Sequence, residues 1–443
     1  MLPRKTRWFT RTRLALVDTG PITVTSPAGA RTCFVSPSGN DANPGTFPLP
    51  YATLGKACGA ANPGDLIYLR GGTYNCTAVV YIKRSGTADH PIRIFGYPGE
   101  QPVLDFSAMT ATNAYGISIA GSYWHLRGIE VYNTPGTGIR MVGHNTNNPA
   151  GSYNIIERCV ARACRLTGIA VGDGSAVTFL PGHNLILNCD ATRCFDAVNH
   201  GENADGFTAH YTIGPGNVFR GCRAWENSDD GWDLWMASEP VLIENCWAFG
   251  QGRDFWNDPL FTGNGNGFKL GGNNVATPHR LVRSLAAHNA HNGIDQNDNA
   301  AGLTVDHCTA WANLNGDLRL DISITRTEPH IVRNNIALGR ADVTATTTLL
   351  GNSWQVLASA PNSTDFLLLP TATDAATIAQ VTALLAAPRR TDGGLPELAL
   401  ARPSLAGRLV DAGTLFDDAD YLGCSLTFLG PAPDLGAFET ATW

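Results

Sequence analysis

Five side chains in this sequence have the types and spacing for chemistry: Asp205, Asp229, Asp230, Asp233 and Lys269. They lie in or beside three copies of one short pattern, a polar residue, a glycine, an apolar residue and an outward residue: DGFT (205–208), DGWD (230–233) and NGFK (266–269). Looser copies are TGIA (167–170), NGID (292–295) and GDLR (316–319). If these segments stack in register, one column reads Ala170, Thr208, Asp233, Lys269, Asp295, Arg319, and the column before the glycines reads Thr167, Asp205, Asp230, Asn266, Asn292, Gly316. Four carboxylates then converge on two neighbouring rungs about 4.8 Å apart. Carboxylates that close repel unless a cation or a proton relieves them. Ligation by several carboxylate oxygens points to Ca2+, because Mg2+ usually keeps more of its waters. A lone acidic turn would be a solvated loop, but two rungs supplying four aspartates in register favour a metal site.

Lys269 falls one rung above Asp233. Such a lysine commonly pairs with its acidic neighbours, here Asp233 or Asp295. The chemical alternative is a base. A nearby divalent cation favours the neutral amine. The proton α to a uronate carboxylate is weakly acidic, and a cation on that carboxylate stabilises the developing enolate. An amine that removes this proton starts a β-elimination that expels the C4 oxygen.

The elements that position these groups follow from internal repeats. Seven segments align on Cys159, Cys189, Cys222, Cys246, Ser284, Cys308 and Asn335, with alanine two residues later in each: Ala161, Ala191, Ala224, Ala248, Ala286, Ala310 and Ala337. Five residues after the anchor come Cys164, Cys194, Asn227, Asn289 and Asn313. The alternation is that of short strands, not helices. Similar units of 24 residues or more, with variable inserts, read as a solenoid of stacked parallel strands. Small residues suit its narrow interior and stacked Asn can form amide ladders. The cysteines then read as buried apolar filler. Pairing of Cys58 with Cys76 stays open. A leucine-rich repeat lacks its leucine pattern here.

The expected architecture is all-β: a parallel β-helix of about ten coils over 31–349. A short capping helix is expected near Ala52–Ala61, with strands at Leu66–Leu69 and on either side of the Tyr-Pro-Gly turn in 90–106. Residues 350–443 are expected to wrap the solenoid flank, with one helix at Thr373–Ala387 behind a Thr/Asp cap. Residues 1–30 carry basic residues without a clean apolar run and are read as an extension or leader remnant outside the fold.

At the candidate site, GENADGFTAHYTIGPGNVFRGCRAWENSDDGWDLW (201–235) and NGNGFKLGG (264–272) resemble polysaccharide lyase family nine, the pectate and exopolygalacturonate lyases. The resemblance extends more weakly from Val35 to Phe438. It implies a right-handed parallel β-helix. It also implies a calcium ion held by Asp205, Asp229, Asp230, Asp233 and the main-chain carbonyl of Gly231, with Lys269 as Brønsted base. His210 stands where the family often has a basic residue, and HNGIDQN (291–297) fits the family's segment only loosely. The implied activity is cleavage of pectate by β-elimination, with rhamnogalacturonan as the alternative substrate within the family. A β-helix glycoside hydrolase would need two carboxylates flanking the bond and no metal cluster. A non-catalytic carbohydrate-binding solenoid would keep the fold without the chemistry.

Further residues are candidates for substrate contact. Arg319 could grip a second uronate carboxylate, or pair with Asp295 or Asp321. His210, Asp295, Trp235 and Trp256 are candidates too. Trp225 and Trp247 are weighed for sugar stacking against packing, while Trp232 and Phe268 should point inward. The insert 250–265 should wall one end of the cleft.

Composition agrees with this reading. The 443 residues carry 31 Lys and Arg against 38 Asp and Glu, a net charge of −7, which is no footprint for nucleic acid. No apolar run is long enough to span a membrane. A secreted monomer acting on an acidic polysaccharide is the expectation.

Overall fold

The structure is a computed structural model, which describes residues 29–146, 148–172, 176–321, 325, 328–416 and 428–440. The reading of residues 1–30 as an extension falls almost wholly outside them. Three parallel sheets of 12, 10 and 10 strands run from Thr32 to Leu350, each strand pairing with its equivalents in the neighbouring coils. The polypeptide therefore winds as a three-sided β-helix, from Thr32–Val35 to Thr348–Leu350. Both expected columns are in register. The alanines pair in sequence from Ala161 to Ala337. The site column pairs Ala170, Thr208, Asp233, Lys269, Asp295 and Arg319 in that order.

The repeat pattern has a packing cause. Opposite the alanines, the third sheet carries Phe207, Trp232 and Phe268, buried and stacked at centroid spacings of 4.6 and 4.9 Å. The glycine before each ring lies where the coil bends tightly. A Cβ on Gly206 would come within 2.6 Å of the Ala224 Cβ, and one on Gly231 within 2.5 Å of the Gly267 carbonyl oxygen. Small residues on one wall and glycine at the bend make room for large rings. Polar groups at the bend are satisfied by a ladder: Cys194 N–H donates to Asn227 Oδ1, Asn227 N–H to Gln251 Oε1, Gln251 N–H to Asn289 Oδ1 and Asn289 N–H to Asn313 Oδ1, at 3.0–3.2 Å. Gln251 is the rung that the Asn pattern passes over. At the other bend one residue per coil turns left-handed, among them Arg158, Asn188, Asn245, Arg283, His307 and Asn334 with φ of 48–54°.

Both ends are capped. The helix Leu54–Ala60 starts at Thr53, whose hydroxyl accepts the Lys56 N–H, and buries Leu54, Ala57 and Cys58 over the first coil. At the other end the single-turn helix Ser353–Val356 was not expected. Its cap, Asn352, extends the interior: its Oδ1 accepts the Asn335 N–H at 3.0 Å. The helix Ala375–Leu385 is capped by Asp374 and buries Ile378, Val381 and Leu385. The last two pack with Trp247, Phe249, Trp311 and Ile336 of the second sheet's outer face, so Trp247 is a packing residue. Trp225 stacks on Phe249 at 5.7 Å beside it. Arg223 and Arg389 both pair with Asp190, at 2.8 and 2.6 Å, tying this segment to the coils. All ten cysteines of the described residues are free thiols, Cys58 and Cys76 included.

Candidate active site and metal centre

A cleft of about 560 Å³ lies over the third sheet. Asp205, Asp229, Asp233, Lys269, His210 and Trp235 line one end of it. Strand register brings the acidic residues together: Trp232–Asp233 pairs between Phe207–Ala209 and Phe268–Lys269. Carboxylate oxygens of Asp205, Asp229 and Asp230 lie within 4.8 Å of one another, all three residues buried. Asp233 adjoins them on the outward column.

Each carboxylate is oriented by neighbouring donors. Asp205 Oδ1 accepts the Asp230 N–H at 3.1 Å. Asp229 accepts the Asn203 N–H at 3.0 Å and the Asn264 N–H at 3.3 Å. Asp230 Oδ1 accepts the main-chain and side-chain N–H groups of Asn266 at 2.7 and 2.9 Å. Asp233 Oδ1 accepts the Trp235 N–H at 2.8 Å. The other oxygen of Asp230 is buried, makes no hydrogen bond, and faces the Lys269 ammonium at 3.1 Å. The ammonium also lies 3.4 Å from Asp233 Oδ2. Thr208 Oγ1, one rung below Asp233, is buried without a hydrogen-bond partner.

The electrostatics are those of excess negative charge in a largely buried site. Burial, and then Asp233, Asp229 and Asp230, push the Asp205 carboxyl far above the usual carboxylate range. Burial and Asp230 push Asp229 up to about 7, against the pull of Lys269. Burial raises Asp233 to about 6, again opposed by Lys269. Burial alone would lower Lys269, but the four carboxylates outweigh it and hold the ammonium well above the ordinary lysine range. Buried carboxylate oxygens clustered within 4.8 Å and raised carboxyl values are the features of a site that fits a divalent cation. The Gly231 carbonyl accepts the Phe207 N–H at 2.9 Å, leaving it one lone pair.

The other candidates separate. His210 and Trp235 line the cleft, and His210 packs edge-on to Tyr211 at 4.7 Å. Asp295 is 1% exposed and holds the Asn292 side chain and the Asn297 N–H at 2.6 and 2.8 Å. Arg319 lies 3.6 Å from it. Neither is among the residues lining the cleft. Trp256 stacks on Phe195 at 4.5 Å. The insert 250–265 packs against the 196–203 loop, through Asp258 on His200 at 3.0 Å and the Phe261 ring over Gly201, and it is that loop which walls the cleft. At the far end the cleft is lined by Arg140, Tyr115, Thr137 and Asn113. Sequence reasoning passed over Arg140, although its signal is present: TGIR (137–140) is the same four-residue pattern, one rung before TGIA.

A parallel β-helix with an acidic cleft and a facing lysine is an architecture for acting on acidic sugars, and comparison with known proteins narrows it. The chain belongs to the family described as Pel9A-like, right handed beta helix region, which matches residues 33–335. It is 36% identical over 418 residues to pectate lyase L of Dickeya dadantii (strain 3937), covering 92% of this chain and 90% of that protein. The crystal structure of pectate lyase Pel9A superposes with a TM-score of 0.79 at 36% identity, over 93% of this chain and 98% of the other. A rhamnogalacturonan lyase superposes with a TM-score of 0.67 at 27% identity, over 85% and 97%. The chain is thus a polysaccharide lyase on a right-handed β-helix, which sets aside the hydrolase and binding-only readings.

Proposed function

We propose that this enzyme is a calcium-dependent pectate lyase in which Lys269 is the base. The observation that carries the reading is the register of Asp233 and Lys269 on neighbouring rungs, beside three buried carboxylates within 4.8 Å of one another. Asp205, Asp229, Asp230 and Asp233, with the Gly231 carbonyl, would hold the ion. Bound Ca2+ supplies charge neutralisation at the uronate carboxylate, which acidifies the adjacent C5–H. Lys269 Nζ takes the C5 proton, the C4–O bond breaks, a C4–C5 double bond forms, and the departing oxygen takes its proton from solvent water. Asn266 and the Trp235 N–H keep Asp230 and Asp233 oriented throughout. The coils over 31–349 carry the site and 350–443 brace them. A polymeric substrate supports a location outside the cell.

The test is incubation with polygalacturonate and Ca2+ while following the ultraviolet absorbance of the unsaturated product. Absorbance should rise, stop on chelation and recover when Ca2+ is restored. Full activity in excess chelator removes the metal from the mechanism, and new reducing ends without absorbance mean hydrolysis. The likeness to a rhamnogalacturonan lyase motivates a parallel assay on that polymer. Faster elimination there reassigns the substrate and keeps the chemistry.

A further inference from the structure

We propose that the outer face of the first sheet, from the strand Thr32–Val35 to the strand Trp124–Arg127, is a second binding site for an acidic polysaccharide, apart from the cleft and without cleavage. The class of polymer rests on the lyase reading above. Register builds the site. The outward columns of these strands read Phe34, Tyr68, Phe95, Arg127 and, beside them, Leu66, Arg93, His125. Phe34 and Tyr68 stack at 5.8 Å, Tyr97 meets Tyr68 edge-on at 5.4 Å, and Phe47 stands across Phe34 at 5.2 Å. Phe47 is 50% exposed, and Phe34, Tyr68 and Tyr97 are half-buried. The outward rings of the second sheet are covered instead: Trp247 and Trp311 are 1% and 0% exposed beneath residues of 366–435. A contiguous patch of rings left open to water marks a contact surface. Tyr and Phe faces suit the C–H side of a sugar ring, with the Tyr hydroxyl left for its polar edge.

Charge selects the sugar. The Arg127 guanidinium lies 4.0 Å over the Phe95 ring, and Arg93 is in register with His125 beside it. Neither arginine is ion-paired with a carboxylate of the described residues. Glu157, which lies within the field of Arg127, is already taken by His125 at 2.7 Å and by Arg158 at 3.3 Å. Arg93 is half-buried, and its Nη1 has no hydrogen-bond acceptor. Arg70, by contrast, is held by Glu100 at 2.7 Å and lies over the Phe47 and Tyr97 rings, so it props the platform up. Two guanidiniums without carboxylate partners, beside open rings, fit a ligand that brings carboxylates and sugar faces together: a polyuronate chain. A second copy of this chain, with its net charge of −7, would bring repulsion. Because the cleft opens over the third sheet, a polymer held on the first sheet leaves the cleft free for another stretch of chain. Two points of attachment raise the effective concentration of substrate with no new contact in the cleft.

The experiment follows wild type, Arg127→Gln, Arg127→Lys and Phe47→Ser through native gels that hold polygalacturonate, in excess chelator to stop turnover. Wild type should be retarded. Arg127→Gln and Phe47→Ser should each weaken retention on the order of 10-fold, and Arg127→Lys should recover part of the loss. Initial rates on trigalacturonate with Ca2+ should stay at the wild-type level in every variant, because a trimer engages the cleft alone. Unchanged retention in Arg127→Gln and Phe47→Ser overturns the proposal. A trimer rate that falls in step with retention overturns it too, since both residues would then act through the cleft. Equal retention of wild type on a neutral galactan removes the carboxylate from recognition and overturns the choice of ligand. Dimerisation of wild type that Phe47→Ser abolishes, with no retention on polygalacturonate, gives the face to a second copy. Absence of unsaturated product from any uronate polymer with wild type is a different failure, that of the lyase reading itself.

Discussion

Lys269 faces two demands at the scale of single residues. Without an ion it is the counter-charge of four aspartates, which keeps it protonated. In the proposed role of base it would have to be neutral when substrate arrives. A cation held by the carboxylates would weaken the field that holds the proton, while the nearby Asp295 would still oppose deprotonation. Two effects then push activity toward alkaline pH. The amine loses its proton only as pH rises, and Asp229 and Asp233, titrating at about 7 and 6 in the ion-free protein, must be deprotonated before they can ligate. The rate should therefore climb with pH through and above neutrality, and calcium affinity should fall as pH drops below about 7. Lys269→Ala should lose about 10²–10⁴-fold in kcat at saturating calcium. Lys269→Arg should fail with it, because guanidinium stays protonated at any working pH. Stopped assays over a pH series, with calorimetric titration of calcium into each variant, check both. Most of the rate surviving in Lys269→Ala at alkaline pH would move the base elsewhere, with His210 the first residue to test.

The elements around these residues were legible in the sequence wherever a position repeats once per coil. The alanine column and the glycines of the site pattern are such positions, because a Cβ on Gly206 would meet the Ala224 Cβ at 2.6 Å. Gln251 escaped because it does the work of Asn with a different residue type, and Arg140 because the repeat was read from one rung too late. The left-handed residues were not legible. Arg158, Ala163, Arg193 and Glu226 have no preference for positive φ, and coil closure imposes it on them. Nor was the fate of Trp247 and Trp311, whose covering residues arrive far along the chain in 366–435. The amide ladder gives the prediction at this scale. Asn289 is fully buried, and its side chain donates to Ala248 O and Asn313 Oδ1 and accepts the Gln251 N–H, at 3.2, 2.8 and 3.2 Å. Asn289→Ala strands those partners without water. The cost should be about 2–4 kcal/mol, read as a lower urea midpoint.

For the whole molecule, buried histidines set the acid limit. Burial pushes His279 and His307 down to about 3, so both are neutral in the fold. The unfolded chain protonates them near 6.5. Each contribution is therefore intact above 6.5 and is lost progressively as pH falls from there toward 3, on the order of 3 kcal/mol apiece by pH 4. Melting temperatures should fall steeply from pH 7 to pH 5. His279→Asn, whose Oδ1 can take the Val241 N–H that His279 Nδ1 now accepts at 3.2 Å, should flatten that slope, and an unchanged slope would assign the acid limit to other groups. The in-register column has one more consequence. Since its members sit one per turn of the solenoid, the separation of any two charges along it can change only by gaining or losing a whole turn. Descendants of this chain can thus re-space their sugar contacts only in jumps of about 4.8 Å, so the lengths of substrate that relatives prefer should fall into discrete classes.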